Sequence, residues 1–98
     1  MATVAVTPTA QADLDRLIRT HSLPSTTVVR VKRSIAPLVM FPELGGQLEG
    51  RWAPFRFVLG PWRWMIIVYL FDPATDRVSI ATIQNARSAG APRTASPR

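Results

Sequence analysis

Four arginines, one asparagine and one histidine are the side chains whose types and spacing bear most on chemistry here. Arg51, Arg56 and Arg63 lie in or beside an aromatic stretch, and Arg87 follows Asn85 by two positions at the end of the run RVSIATIQN. Guanidinium groups fork onto phosphate and carboxylate and stay charged near neutral pH. They therefore hold anions and steady developing negative charge, but they are poor bases. Breaking a phosphodiester through its 2′-hydroxyl also needs groups that move protons. Asn85 cannot move one, and no histidine or tyrosine follows it. His21 shares helical spacing with Leu17 and Ile18, so it is expected at the core edge, far from the sheet edge. Asp72 and Asp76 fall in DPATD, where such residues make turns.

The same inventory excludes several classes. The absence of cysteine removes disulfides, thiolate catalysis and cysteine-bound zinc. One histidine builds no histidine cluster, and no pair of acids is placed to hold Mg²⁺, so no metal and no cofactor is expected. The opening MATVAVTPTAQADL lacks a basic region followed by an apolar core, which points to a cytoplasmic protein without a signal peptide. Twelve Lys and Arg against six Asp and Glu leave a formal charge of +6, and eleven of the twelve are arginine. Such a surface suits nucleic acid, anionic lipid or an acidic protein. Codon bias and solubility produce the same composition.

These groups need elements to position them. Trp64 to Phe71 form an uncharged run of eight residues, too short for a membrane helix of roughly 20 but suited to a central strand. Before it, APFRFVL alternates, with Phe55, Phe57 and Leu59 on one face and Arg56 pointing off it. After it, RVSIATI alternates again, with Val78, Ile80 and Thr82 opposite Ser79, Ala81 and Ile83. Short turns join the three into an antiparallel meander. Upstream, TVAVT reads as a strand ended by Pro8, and TAQADLDRLIRTH as a helix capped by Thr9. Asp13 would lie in its first turn and Asp15 would pair with Arg19. SLPS is a turn, and Val28, Val31, Ile35 and Leu38 mark a second helix that frays near Ala36, before Pro37. Pro42, Gly45, Gly46 and Gly50 mark a loop into the meander.

The expected fold is α+β: a short N-terminal strand, a helical hairpin, then a three-stranded antiparallel meander completing one small sheet. Residues 1–87 make a single domain, and SAGAPRTASPR, residues 88–98, is a disordered basic tail. The helices cover one sheet face. The other keeps large apolar side chains with no second layer above them, which marks a partner surface. Trp52, Trp62 and Trp64 fit core, sheet-face and partner packing, since no regular aromatic-and-basic ladder is visible.

This layout resembles the RelE/ParE family of type II toxin–antitoxin toxins. VAVTPTAQADLDRLI resembles the family's opening strand and helix, LVMFPELGG its approach to the sheet, and PWRWMIIVYLFDPATDRVSIATIQNARS its last two strands and terminal arginine, over residues 4–88. The resemblance implies a growth-inhibiting toxin held in a hetero-oligomer by a cognate acidic antitoxin, away from membranes. It places target or nucleic-acid contacts at Arg56, Arg63, Asn85 and Arg87; Arg51, which flanks the same strand pair, joins them, and the uncovered apolar run offers antitoxin contacts at Trp64, Tyr69 and Phe71. With Asn85 where many members carry histidine, the resemblance implies ParE-like action on DNA gyrase. RelE-like ribosome-dependent mRNA cleavage is the alternative, and a non-toxic basic nucleic-acid-binding or assembly module is the reading outside the family.

Overall fold

The computed structural model describes residues 1–88. Strand β1 (Thr3–Val6) leads into helix α1 (Pro8–Thr20), and helix α2 (Thr27–Ile35) runs on into a 3₁₀ turn (Ala36–Val39). Then come β2 (Gly46–Gln47), a second 3₁₀ turn (Gly50–Trp52), β3 (Arg56–Leu59), β4 (Met65–Asp72) and β5 (Arg77–Asn85). The strands form one sheet in the order β1-β5-β4-β3-β2. β1 runs parallel to β5, and the other pairs are antiparallel. The expected α+β layout is present, with β2 added at one edge. The expected tail falls, from residue 89 onward, outside the described residues.

Local chemistry starts and stops the helices. Thr7, not Thr9, caps α1: its Oγ1 accepts the Ala10 N–H at 3.2 Å and donates to the Ile80 carbonyl at 2.7 Å. Pro8 takes the first helical position, where its missing N–H costs nothing. One threonine thus fixes both the helix start and the end of the β1–β5 pairing. The α-helical part of the second helix stops at Ile35 because Pro37 cannot extend the hydrogen-bond ladder, and the chain tightens into the 3₁₀ turn.

Asp13 lies beyond the first turn of α1 and faces the sheet. β5 runs past the last pair of β1, Val6 with Ile80, so its edge is open beyond that point. The Asp13 carboxylate fills the gap, accepting the Thr82 hydroxyl and, at 3.3 Å, the Ile83 N–H. Arg16 Nη2 stands 2.8 Å from its other oxygen. This pair forms in place of the expected Asp15–Arg19 one.

The helix-covered face of the sheet carries the main core. Leu14 and Leu17 of α1 and Val31 and Ile35 of α2 close over Ile67, Tyr69, Val78, Ile80 and Ile83. Each such side chain, fully buried, contributes about 1.5–3 kcal/mol. The opposite face is not left bare as expected. Ile66 and Val68 are 2% and 0% exposed, closed over by Leu48, Trp52, Phe55 and Phe57. The segment from β2 to β3 folds back as that cover. Phe55 and Phe57 therefore face away from the helices, while Val58 packs toward them.

A β-bulge decides the face of the last strand. Val68 pairs with Thr82 but Tyr69 pairs with Ile80, so Ala81 is an extra residue in β5. Strict alternation would turn Ile83 away from Ile80. The bulge returns Ile83 to the core face beside Ile67 and carries Asn85, opposite Met65, to that face as well.

Candidate functional site

The last turn of α1 and the end of β5 meet around an open concavity of about 320 Å³, lined by Arg16, Leu17, Thr20, His21, Ile83, Gln84, Asn85 and Ser88. His21 ends α1 as its C-cap, with its N–H bonded to the Leu17 carbonyl at 3.0 Å. Its exposed ring lies flat against Trp64, with centroids 4.6 Å apart and planes 21° apart. Trp62 continues the stack at 6.2 Å, and the Arg30 guanidinium sits 4.8 Å above Trp62. The turn between β3 and β4 is thus joined to both helices by planar groups. The expected position of His21, within the core edge and far from the sheet, is corrected: the bulge and the helix end bring it to Asn85.

His21 Nε2 is 3.4 Å from Asn85 Nδ2, and its Nδ1 is 3.0 Å from Thr20 Oγ1. Asn85 Oδ1 accepts the Arg87 N–H at 2.9 Å, which orients the amide. The strand end is pinned by Ala86 N–H to the Trp64 carbonyl at 2.7 Å and Ser88 N–H to the Asn85 carbonyl at 3.0 Å. A backbone-fixed asparagine and an indole therefore hold one imidazole from two sides. Arg16 supplies a cation to the same concavity, with Asp13 behind it. Arg87 lies exposed in the adjoining turn.

The other expected contacts lie elsewhere. Arg56 pairs with Tyr69, four positions along β4 from the Met65–Asn85 pair, or about 13 Å at strand rise. It donates to the Gly45 carbonyl at 3.0 Å and approaches Glu43 Oε2 at 3.6 Å, bracing the loop before β2. Its side chain is on the helix-side face with Val58, which corrects its placement off the core face. Arg51 rests 5.5 Å over the Trp52 ring, on the opposite side of the sheet. Arg63 is exposed between Trp62 and Trp64.

Tyr69 is no partner contact. It is fully buried, and its hydroxyl donates to the Pro42 carbonyl at 2.8 Å and accepts the Gly45 N–H at 2.9 Å. Burial raises its pKa, the Gly45 N–H and the Arg56 charge pull it back down, and Glu43 adds a smaller rise. Trp64 is half-buried under His21, and Phe71 is half-buried against the main core. The most exposed large apolar side chains after Met1 lie instead at Met40, Phe41 and Leu44, just after the 3₁₀ turn. Sequence spacing hides this patch, because LVMFPEL reads equally as helix end or core. Among the described residues no group of acids and histidines is arranged to hold a metal ion, and no helix is long and apolar enough to cross a membrane.

No family model and no curated protein matches the sequence. Solved structures do match the fold. A chain of the toxin–antitoxin complex RelBE2 from Mycobacterium tuberculosis aligns over 86% of this chain and 96% of its own, with a TM-score of 0.63 and 23% identity. A copper-bound mutant toxin from Helicobacter pylori aligns over 87% and 94%, with a TM-score of 0.64 and 20% identity. The chain has the fold of the RelE-family toxins. A conserved hypothetical protein from Helicobacter pylori shares it, with a TM-score of 0.56 over 87% and 94% of the two chains at 20% identity. Within this RelE-type fold, His21, Asn85 and Arg16 come from the end of the first helix, the end of the last strand and the helix flank.

Proposed function

We propose that the chain is the toxin of a type II toxin–antitoxin pair, acting in the cytoplasm and neutralised by an acidic antitoxin within a hetero-oligomer. The RelE-type fold across 86–87% of the chain carries this reading, and the +6 charge suits both a nucleic-acid target and an acidic partner. The antitoxin's apolar anchors fit Met40, Phe41 and Leu44 better than the buried Tyr69.

The target follows from proton transfer. Asn85 moves no proton, and by itself it favours the gyrase reading. His21 beside it removes that reason, and RelE-like cleavage of ribosome-bound mRNA becomes the better reading. Gyrase poisoning is the second, favoured by His21 being the single proton-transfer side chain among the described residues of the concavity. Induction of the lone chain in bacteria tests both. Growth should stop, a cognate antitoxin should restore it, and new mRNA 5′ ends should map within ribosome-bound codons. Inhibited supercoiling with intact mRNA would select gyrase instead. Unimpaired growth with soluble, folded chain would remove the toxin reading.

A further inference from the structure

We infer that His21 is the catalytic base of the concavity, taking the proton from the attacking 2′-hydroxyl of an RNA strand. This rests on the RNA-cleaving reading above and assigns its chemistry to a residue of α1 that the sequence pattern places in the core edge.

The other candidates for the role are committed elsewhere. Asp13 accepts from Thr82, Ile83 and Arg16. Asp72 and Asp76 belong to the β4–β5 turn, at the opposite end of the strand pair from Asn85. Glu43 braces Arg56, and Tyr69 is buried and keeps its proton. Arg16 lines the concavity and Arg87 lies in the adjoining turn, and guanidinium groups do not give up a proton near neutral pH. Among the described residues that line the concavity with the imidazole, Arg16 is the charged one and none is a carboxylate. The other neighbours, Thr20, Gln84, Asn85, Ser88 and Trp64, are neutral.

The geometry also sets the tautomer. Asn85 Oδ1 is taken by the Arg87 N–H, so the amide presents its Nδ2 hydrogens to His21 Nε2. Nε2 is then the unprotonated nitrogen, and Nδ1 donates to Thr20 Oγ1 at 3.0 Å. At 3.4 Å the Asn85 contact is long for a hydrogen bond, so a substrate hydroxyl displaces it at little cost. Trp64, 4.6 Å away, holds the ring and stabilises the imidazolium formed when the proton arrives.

The step balances without an oxidant, a metal or a cofactor. The 2′-oxygen bonds to phosphorus as its proton passes to His21 Nε2. The bond from phosphorus to the 5′-oxygen breaks, and that oxygen leaves with the electron pair and takes a proton from water. The imidazolium then returns its proton to solvent. The products are a 2′,3′-cyclic phosphate and a 5′-hydroxyl, with Arg16 in the concavity to steady the phosphate charge.

The test uses the full chain with translating ribosomes, comparing wild type, His21→Gln and His21→Ala. Wild type should leave 2′,3′-cyclic phosphate ends. His21→Gln should cut about 100-fold more slowly or worse with unchanged circular dichroism. Added imidazole should restore part of the rate to His21→Ala, which a purely structural role for the ring would not allow. A folded His21→Gln cutting at the wild-type rate overturns the assignment while leaving the RNA reading intact. Should His21→Gln not fold, the imidazole experiment decides, and absence of rescue in folded His21→Ala overturns it. Growth arrest by wild type with no cut RNA overturns both.

Discussion

The Tyr69 hydroxyl stands 2.9 Å from the backbone nitrogen of Gly45, packed too closely to admit a side chain there. A Cβ at Gly45 would lie 2.4 Å from the Phe57 carbonyl oxygen and 2.7 Å from Tyr69 Cε1. The first obstacle is sheet backbone, which has no room to yield. Gly45→Ala is expected to destabilise the chain by about 1–3 kcal/mol through overpacking. Tyr69→Phe leaves the buried Gly45 N–H and the Pro42 carbonyl without this partner and should cost about 1–3 kcal/mol. Urea unfolding followed by circular dichroism measures both.

The same phenol makes the fold sensitive to alkali. Burial raises the Tyr69 pKa in the folded chain, whereas an exposed tyrosine in the unfolded chain titrates near 10. Above that pH the unfolded chain gives up the proton before the folded chain does. The stabilisation is thus full below about pH 10 and is lost as pH rises through the folded value. Unfolding midpoints between about pH 9 and about pH 11.5 should fall for wild type, and fall less for Tyr69→Phe.

Asp13 should matter far more to stability than its salt bridge suggests. The Arg16 side chain is 60% exposed, so the ion pair itself adds little. The carboxylate's bonds to Thr82 and Ile83 are buried, and a hydrogen bond to a charged group is worth about 1.5–3 kcal/mol. Asp13→Ala should cost about 2–4 kcal/mol, and Arg16→Ala less than about 1 kcal/mol. Thermal and urea denaturation of the two variants would settle the contrast. Equal losses would show that the ion pair, and not the β5 edge, anchors α1.

Arg87 and Arg56 should separate by phenotype. Arg87 is exposed in the site's turn, so Arg87→Ala should reduce toxicity while leaving the circular dichroism spectrum unchanged. Antitoxin affinity should change only modestly, because charge governs encounter more than it deepens binding. Arg56 holds the Gly45 and Glu43 region, so Arg56→Ala should lower stability first and toxicity only through it. Growth curves with melting temperatures for both variants provide the check, and full toxicity in folded Arg87→Ala would remove that residue from the site.

Antitoxin binding should respond to the apolar patch. Phe41 and Leu44 are 63% and 58% exposed, so changing either to serine should barely disturb the fold. As apolar anchors, each should weaken the complex by about 2 kcal/mol, or roughly 30-fold in Kd. Calorimetric titration with the cognate antitoxin measures it, and unchanged affinity in both variants would move the interface elsewhere.

Much of the layout was legible in the sequence because it depends on local pattern. The apolar run at 64–71 had the length and β-branched content of a central strand, Pro8 and Pro37 punctuated the helices, and DPATD marked the β4–β5 turn. Hydrophobic periodicity assigns such elements residue by residue, without knowledge of neighbours. The cover over Ile66 and Val68 was not legible, because Leu48 and Trp52 lie in a segment without period, and only the folded chain returns them to the sheet.

The candidate site depended on tertiary structure still more strongly. Sequence alone determined that Arg87 and Asn85 close the last strand, that one histidine is available, and that the chain is basic. It could not place His21 beside Asn85, since 64 positions separate them. The decisive feature is the extra residue at Ala81. Side chains alternate along a strand with a period of two, so one inserted residue reverses the face of everything after it. That reversal turns Ile83 into the core and Asn85 toward the end of α1. The inserted residue reflects how β5 pairs with β4, which the alternation read along β5 by itself does not express.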